Sequence, residues 1–335
     1  MIALDIGSNV CPAYLLECSR LRAMPAVTRP VGGVDYPRTY QEFKAWFPDD
    51  STCREYLAQL RWPQGFICPE CGCGGGWRTG KGLWMCGQCA KKTSVTAGTI
   101  FHRSHTPLST WFAAVWFVTS QKNGVSAQGL KDALGFGSYE TAWAWLHKLR
   151  RAMVRPDRDL LGGVVELDQS FVGGRAAGKR GPSSDKAPIT IAVERDERGR
   201  LGRVRLELAD KPGGLDMIEF ACEVVTPGTT VRTDGARMFT RLVDLGYIHE
   251  STPGYTAADL DAVMPGPHLV SSLFKRWTAG TLHYRVSPQH LPYYLDEFTF
   301  RFNRRKSKAR GMLFYRLLQQ AVDTDPHPLK ELIGG

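Results

Sequence analysis

Two short cysteine pairs, Cys68-Pro69-Glu70-Cys71 and Cys86-Gly87-Gln88-Cys89, constrain this chain more than any other stretch. Each CxxC closes a tight turn that aims two thiolates at one point. Two such turns, fourteen residues apart, make a tetrahedral S4 site suited to zinc. Four protein ligands close the coordination sphere, so such a zinc is structural. Cys73 extends the first half to CxxCxC and is an alternative ligand, but the two CxxC pairs are the simpler set. The segment between them, with Gly74-Gly75-Gly76-Trp77-Arg78 and Leu83-Trp84-Met85, reads as the short strands and turns of a zinc ribbon. Cys11, Cys18, Cys53 and Cys222 have no motif around them and read as free thiols.

At 335 residues the chain is long enough for two or three domains. No run approaches the ~18 apolar residues of a membrane helix, and the start lacks the basic-then-apolar order of a secretion signal. The expectation is therefore a cytoplasmic protein with paired cysteines used for metal rather than disulfides. A net charge of +10 points to an anionic partner, and the basic residues are clustered. Lys148, Arg150, Arg151, Arg155 and Arg158 form one group; Arg301, Arg304, Arg305, Lys306, Lys308 and Arg310 form another. Two such clusters favour nucleic acid.

Residues 1–34 show no periodicity and read as a poorly ordered leader or a misassigned start. From 35 to 100 come a helical lead-in and the ribbon, with Phe43, Phe47, Tyr56, Leu57 and Leu60 on an apolar face and Ser51 as a candidate cap. Residues 101–158 read as three helices. Trp111, Val115, Phe117 and Val118 face inward on the first, and Ser126 caps the second, which ends at Gly135-Phe136-Gly137-Ser138. The third, Tyr139 to Met153, turns Ala142, Trp145, Leu146 and Leu149 inward and its basic residues outward. Helix, glycine-containing turn and basic helix is a helix-turn-helix arrangement, whose second helix can enter a major groove.

A new domain opens at Val164-Val165-Glu166-Leu167-Asp168-Gln169-Ser170-Phe171-Val172, a β-favouring run stopped by Gly173-Gly174. A carboxylate in such a strand is costly unless compensated, commonly by a bound cation. Strand-like runs follow at 188–193 and 204–208, with a basic loop (Arg175, Lys179, Arg180, Lys186) between the first two strands. A helix is expected over 215–225, a strand over Thr229–Gly235 ending in Asp234, and a helix over 236–245. That order is the order of an RNase H-like α/β domain, here spanning 159–310, and it puts Asp168 and Asp234 on neighbouring strands. Two carboxylates there can hold two Mg ions about 3.5–4 Å apart for in-line phosphodiester displacement.

Taken together, these residues resemble the insertion sequence 1595 family of transposases, which join an N-terminal zinc ribbon to a DDE-type catalytic domain. The resemblance runs from about Tyr40 to Arg310. It rests on Arg61-Trp62-Pro63 with both CxxC pairs, Ser126-Ala127 with Thr141-Ala142-Trp143, Glu166-Leu167-Asp168 with Gly173-Gly174, and Thr233-Asp234-Gly235. It continues through His268 ahead of Lys275-Arg276-Trp277, Gly280-Thr281-Leu282-His283, and Tyr294-Leu295-Asp296-Glu297-Phe298 with Arg301-Phe302-Asn303-Arg304-Arg305. It implies metal-dependent cleavage and strand transfer on transposon ends, with Asp168 and Asp234 as ligands of Mg or Mn. It also implies terminal inverted repeats and target DNA as partners, and a homo-oligomer assembled on them.

In the family an Asn, His or Glu precedes Leu-Lys near the start of a late helix. Aligning His268, Ser272 and Lys275 with that pattern puts Leu273, which has no lone pair, at the third ligand position. Ser271, Ser272 and His268 are the polar side chains nearby. The first strand also departs, with Asp168-Gln169-Ser170 where the family usually has Asp-Glu-Thr. The alternative to an active transposase is thus a transposase-derived DNA-binding protein with weakened or lost catalysis. Leu291, Leu295, Phe298 and Phe302 form a core stripe, Asp296 and Glu297 read as structural or salt-bridged, and Ser287 is a candidate cap ahead of Pro288. Lys148, Arg150, Arg151, Lys275, Arg276, Arg304 and Arg305 are the candidate DNA contacts, and 311–335 reads as a C-terminal tail.

Overall fold

The computed structural model describes residues 29–155, 157–173, 186–234, 236–251, 264–282 and 286–334. Most of the expected leader, the loop cations Arg175, Lys179 and Arg180, and Gly174, Gly235 and His283 lie outside these residues.

Local capping chemistry sets the N-terminal helices. Thr39 caps α1 (Tyr40–Trp46), and Asp49, not Ser51, caps α2 (Asp50–Arg61) by accepting from Thr52 N–H at 2.9 Å. The aspartate one position ahead of the helix reaches the free amides, whereas Ser51 already lies inside the first turn. A three-stranded antiparallel sheet follows, β1 (Gly76–Arg78), β2 (Trp84–Cys86) and β3 (Lys92–Thr93). It is braced by the stack of Phe66 on Trp84 at 5.4 Å. Helices α3 (Leu108–Ser120), α4 (Ala127–Leu134) and α5 (Tyr139–Ala152) occupy the expected positions. Ser126 caps α4, and Gly135 ends it in the left-handed conformation (φ 69°), which glycine adopts without strain.

The second half is a five-stranded sheet in the order β6-β5-β4-β7-β8. Strands β4 (Val164–Val172), β5 (Ala187–Arg195) and β6 (Leu201–Leu208) pair antiparallel; β7 (Thr230–Thr233) and β8 (Ile248–Ser251) join parallel to β4. Side chains alternate across β4. Val165 and Leu167 pack on the face covered by α6 (Gly214–Val224). Val172 packs on the opposite face, where α8 (Pro265–Leu282) and α9 (Leu291–Asn303) lie. The expected helix over 236–245 is a 3-10 turn, Arg237–Thr240, running into the single-turn α7 (Arg241–Asp244). Ser287 makes no side-chain cap; a 3-10 turn, Pro288–His290, leads into α9.

The described residues of the expected C-terminal tail, 311–334, are not a tail. Helix α10 (Arg310–Asp323) inserts Phe314, Leu317, Leu318, Ala321 and Val322 into the core made by α1 to α5, and α11 (Leu329–Gly334) follows it. The apolar residues recur every three to four positions, so this segment buries a full face and closes the N-terminal half. Among the described residues no helix is long and apolar enough to cross a membrane.

Candidate active site

The ribbon brings its four thiols together first. Cys68 Sγ lies 3.6 Å from Cys89 Sγ and Cys71 Sγ lies 3.7 Å from Cys86 Sγ, and all four sulfurs fall within 4.8 Å of one another. Zn–S bonds of about 2.3 Å give a tetrahedron with S···S edges of about 3.8 Å, so the cage fits zinc. Backbone amides of Cys89 and Gln88 lower the Cys86 thiol to about 7, readying it as a thiolate ligand. Cys73 is exposed and, among the described residues, its Sγ reaches only the Cys71 carbonyl, which leaves the two CxxC pairs as the donor set.

The second site lies on the α8-facing side of β4. Glu166, Asp168 and Ser170 alternate with inward apolar residues and present one row to α8. Each meets a partner there. Glu166, 1% exposed, accepts from the Gly266 amide at 2.7 Å and so holds the first turn of α8 against the strand. A Cβ at 266 would meet Glu166 Oε2 inside contact distance, so a side chain there would push the carboxylate off the Gly266 amide. Asp168 Oδ2 lies 3.5 Å from His268 Nε2, and Asp168 Oδ1 accepts from the Gln169 amide at 2.7 Å. Ser170 Oγ is 2.6 Å from Ser271 Oγ and accepts from Lys275 Nζ at 3.0 Å.

Asp234 follows the last residue of β7. The parallel register pairs Val164 with Thr230, Val165 with Val231 and Glu166 with Arg232; carried two residues on, it sets Asp234 level with Asp168. Burial raises the Asp168 carboxyl above its usual range and the negative charge of Asp234 adds to the rise, while the Gln169 amide and His268 oppose it. Asp234 is exposed, and its Oδ1 accepts from the Ala236 amide at 3.2 Å. Among the described residues Asp168, Asp234 and His268 do not all fall within 4.8 Å of one another. Two carboxylates side by side on the neighbouring strands β4 and β7 suit a hard divalent cation, with the His268 imidazole as a borderline third donor.

Leu273, set at the third ligand position by the sequence alignment, packs into the sheet–helix core. It lies five residues from His268, about 140° around a helix of 3.6 residues per turn, and so on another face. The face toward β4 carries His268, Ser271 and Lys275, at i, i+3 and i+7. That periodicity was present in the sequence and points to His268 rather than Leu273 as the α8 side chain beside Asp168.

The candidate DNA contacts separate into two groups. Lys275 and Arg276 on α8 and Arg151 on α5 are exposed. Arg150, in contrast, is 2% exposed and donates through Nε to Glu297 Oε2 at 2.8 Å, with its guanidinium over the Tyr294 ring. It is a buried structural cation, not a DNA contact. Glu297 also accepts from Arg301 Nε at 2.8 Å, and Arg301 donates to the Val118 and Gln121 carbonyls at the end of α3. This network ties α3 and α5 to α9 and bears out the structural reading of Glu297. Lys148 is half-buried. Arg304 lies over the Phe300 ring, and Arg305 lies over Phe302 and donates to the Gly202 carbonyl at 3.1 Å, so both are engaged with the fold. Of the basic residues of α5 Arg151 alone is exposed, so they form no outward face; the first turn, Tyr139, Glu140 and Thr141, is exposed throughout.

Comparison with known proteins agrees with this architecture. Residues 160–303 match the ISXO2-like transposase domain, and residues 48–92 match the transposase zinc-ribbon domain. A protein of Halobacterium salinarum, described as an uncharacterized protein in transposable element ISH50, is 27% identical over 289 residues, covering 76% of this chain and 91% of that protein. A four-cysteine ribbon ahead of an α/β domain, each matching its transposase counterpart in that order, places the chain in the insertion sequence 1595 family of transposases.

Proposed function

We propose that the chain binds the ends of its own mobile element and catalyses metal-dependent cleavage and strand transfer there. The observation that carries this reading is Asp168: a carboxylate on the central strand, raised in pKa by burial, level with Asp234 and 3.5 Å from His268. Asp168, Asp234 and His268 would hold Mg or Mn. Such ions, when bound, activate water or a 3′-hydroxyl and stabilise the leaving oxygen of an in-line displacement. Desolvation around Asp168 strengthens its attraction for a cation, and the anchoring of α8 through Glu166 and Gly266 fixes where His268 stands. Lys275 and Arg276, exposed on the same helix, are suited to the phosphates of the strand being cut.

In this reading the ribbon, with its structural zinc, and the α4–α5 helix-turn-helix bind the terminal inverted repeats. The exposed first turn of α5, rather than its basic end, is suited to the groove, and synapsis of two ends makes the working species a homo-oligomer. The alternative of a DNA-binding protein with lost catalysis rested on Leu273, whose side chain packs into the core on another face of α8. The test is a strand-transfer assay with Mg or Mn on DNA carrying the repeats that flank the gene. Products that disappear in Asp168→Ala, Asp234→Ala and His268→Ala, with DNA binding retained, support the reading. Normal end binding with no products from the wild-type protein would sink it.

A further inference from the structure

Two residues beyond Asp168 on the same face of β4, a distance of about 6.7 Å along a strand, lies a three-residue hydroxyl–ammonium cluster whose two hydroxyls have no assigned role. Ser170 Oγ sits 2.6 Å from Ser271 Oγ and 3.0 Å from Lys275 Nζ. The donors and acceptors can be counted. Lys275 has only donors, so Ser170 accepts from it. Ser271 is 5% exposed, and among the described residues Ser170 Oγ is the one hydrogen-bond partner its hydroxyl reaches. A buried hydroxyl that donates nowhere is costly, so Ser271 donates to Ser170. Both acceptor sites of Ser170 are then filled, and its own O–H is left to donate outward beside an ammonium and next to the acidic site.

A free hydroxyl donor paired with a cation is the chemistry that holds a phosphate oxygen. We propose that Ser170 is a phosphate-binding residue that works with Lys275 on a single phosphodiester of the strand next to Asp168, and that Ser271 is the positioning residue that turns the Ser170 hydroxyl toward it. The inference rests on the reading of Asp168 as the centre of the reaction and deepens it by assigning the neighbouring phosphate subsite. A serine suffices here where a bulkier hydroxyl residue would also serve, because only the oxygen is used.

The test reads binding, so it is independent of turnover. Fluorescence anisotropy is measured for the full-length, zinc-loaded protein in Ca2+ on a labelled duplex taken from the DNA that borders its gene. Wild type is compared with Ser170→Ala, Ser170→Thr, Ser271→Ala, Lys275→Gln and the Ser170→Ala/Lys275→Gln double variant. Ser170→Ala weakens binding about tenfold, as loss of a hydrogen bond to a charged group should. Ser170→Thr restores it, and Lys275→Gln lowers the salt slope by about one phosphate contact. The double variant binds little worse than Lys275→Gln alone, because both side chains serve one phosphate. Wild-type affinity in Ser170→Ala, fully additive losses in the double variant, or failure of threonine to rescue would each overturn the proposal. Mn2+ binding measured on the same proteins separates the two readings: Ser170→Ala retains it, whereas loss of Mn2+ binding belongs to Asp168→Ala.

Discussion

His147 gives a quantitative test of how the two halves of the chain are joined. It lies on α5, fully buried, and neither ring nitrogen has a hydrogen-bond partner among the described residues. Its ring packs against Trp143 at 4.1 Å, Tyr293 at 4.8 Å, His290 at 5.2 Å and Tyr294 at 5.5 Å. Burial, with smaller contributions from Arg150, His290 and His327, pushes its pKa down to about 2. An unfolded histidine titrates near 6.5. Between those values the unfolded chain binds a proton that the folded chain excludes, so stability is complete above about pH 6.5 and falls as the pH drops. At about pH 5 the loss is about 2 kcal/mol, and each further unit removes about 1.4 kcal/mol. Urea unfolding followed across that range should show this decline in the wild-type protein. His147→Phe, which keeps an aromatic ring but cannot titrate, should remove about 2 kcal/mol of the difference between about pH 7 and pH 5. Superimposable pH profiles for the two proteins would refute the reasoning, because they would require His147 to charge in place or to titrate identically in both states.

Other perturbations follow from the same contacts. Glu297→Ala strands the buried cation Arg150, takes the counter-charge from half-buried Arg301, and should cost about 3–5 kcal/mol in urea unfolding; a cost under about 1 kcal/mol would mean that the network is solvated. Cys86→Ser removes a ligand from a closed cage and should lower zinc stoichiometry and unfold the ribbon by circular dichroism, whereas retained zinc would contradict the ligand set. Leu273→Asn should give no gain in strand transfer and should lower thermal stability by placing an amide in the core; a clear gain would restore position 273 as the third ligand.

The parts of this fold that were legible in the sequence are those written in short-range chemistry. The CxxC pairs specify their own geometry, Ser126 and Gly135 bracket α4, and β4 to β6 carry enough β-branched residues to read as strands. What was not legible depends on partners far along the chain. The charge of Arg150 suggested DNA until Glu297, 147 residues away, was found against it. Helix α10 reads as an amphipathic tail because the groove it fills is built by α2, α3 and α5. Strand β8 is four residues long and mostly exposed, so alternation gives it no distinct signal. Strand order alone sets Asp168 and Asp234 level across β4 and β7, whereas aligning polar letters turned Leu273 toward them and the structure packs it into the core. The helical spacing of His268, Ser271 and Lys275 was the better guide, because it reports which side chains share a face.

The central claim is that Asp168, Asp234 and His268 form one divalent-metal site, and its most direct measurement is Mn2+ binding. Calorimetric titration of the zinc-loaded protein should detect Mn2+ binding that is lost in Asp168→Ala and Asp234→Ala and weakened at least tenfold in His268→Ala. Zinc content should stay unchanged in all three variants. Mn2+ binding that is the same in the wild type and these variants, or absent from the wild type in the presence of end DNA, would contradict the account.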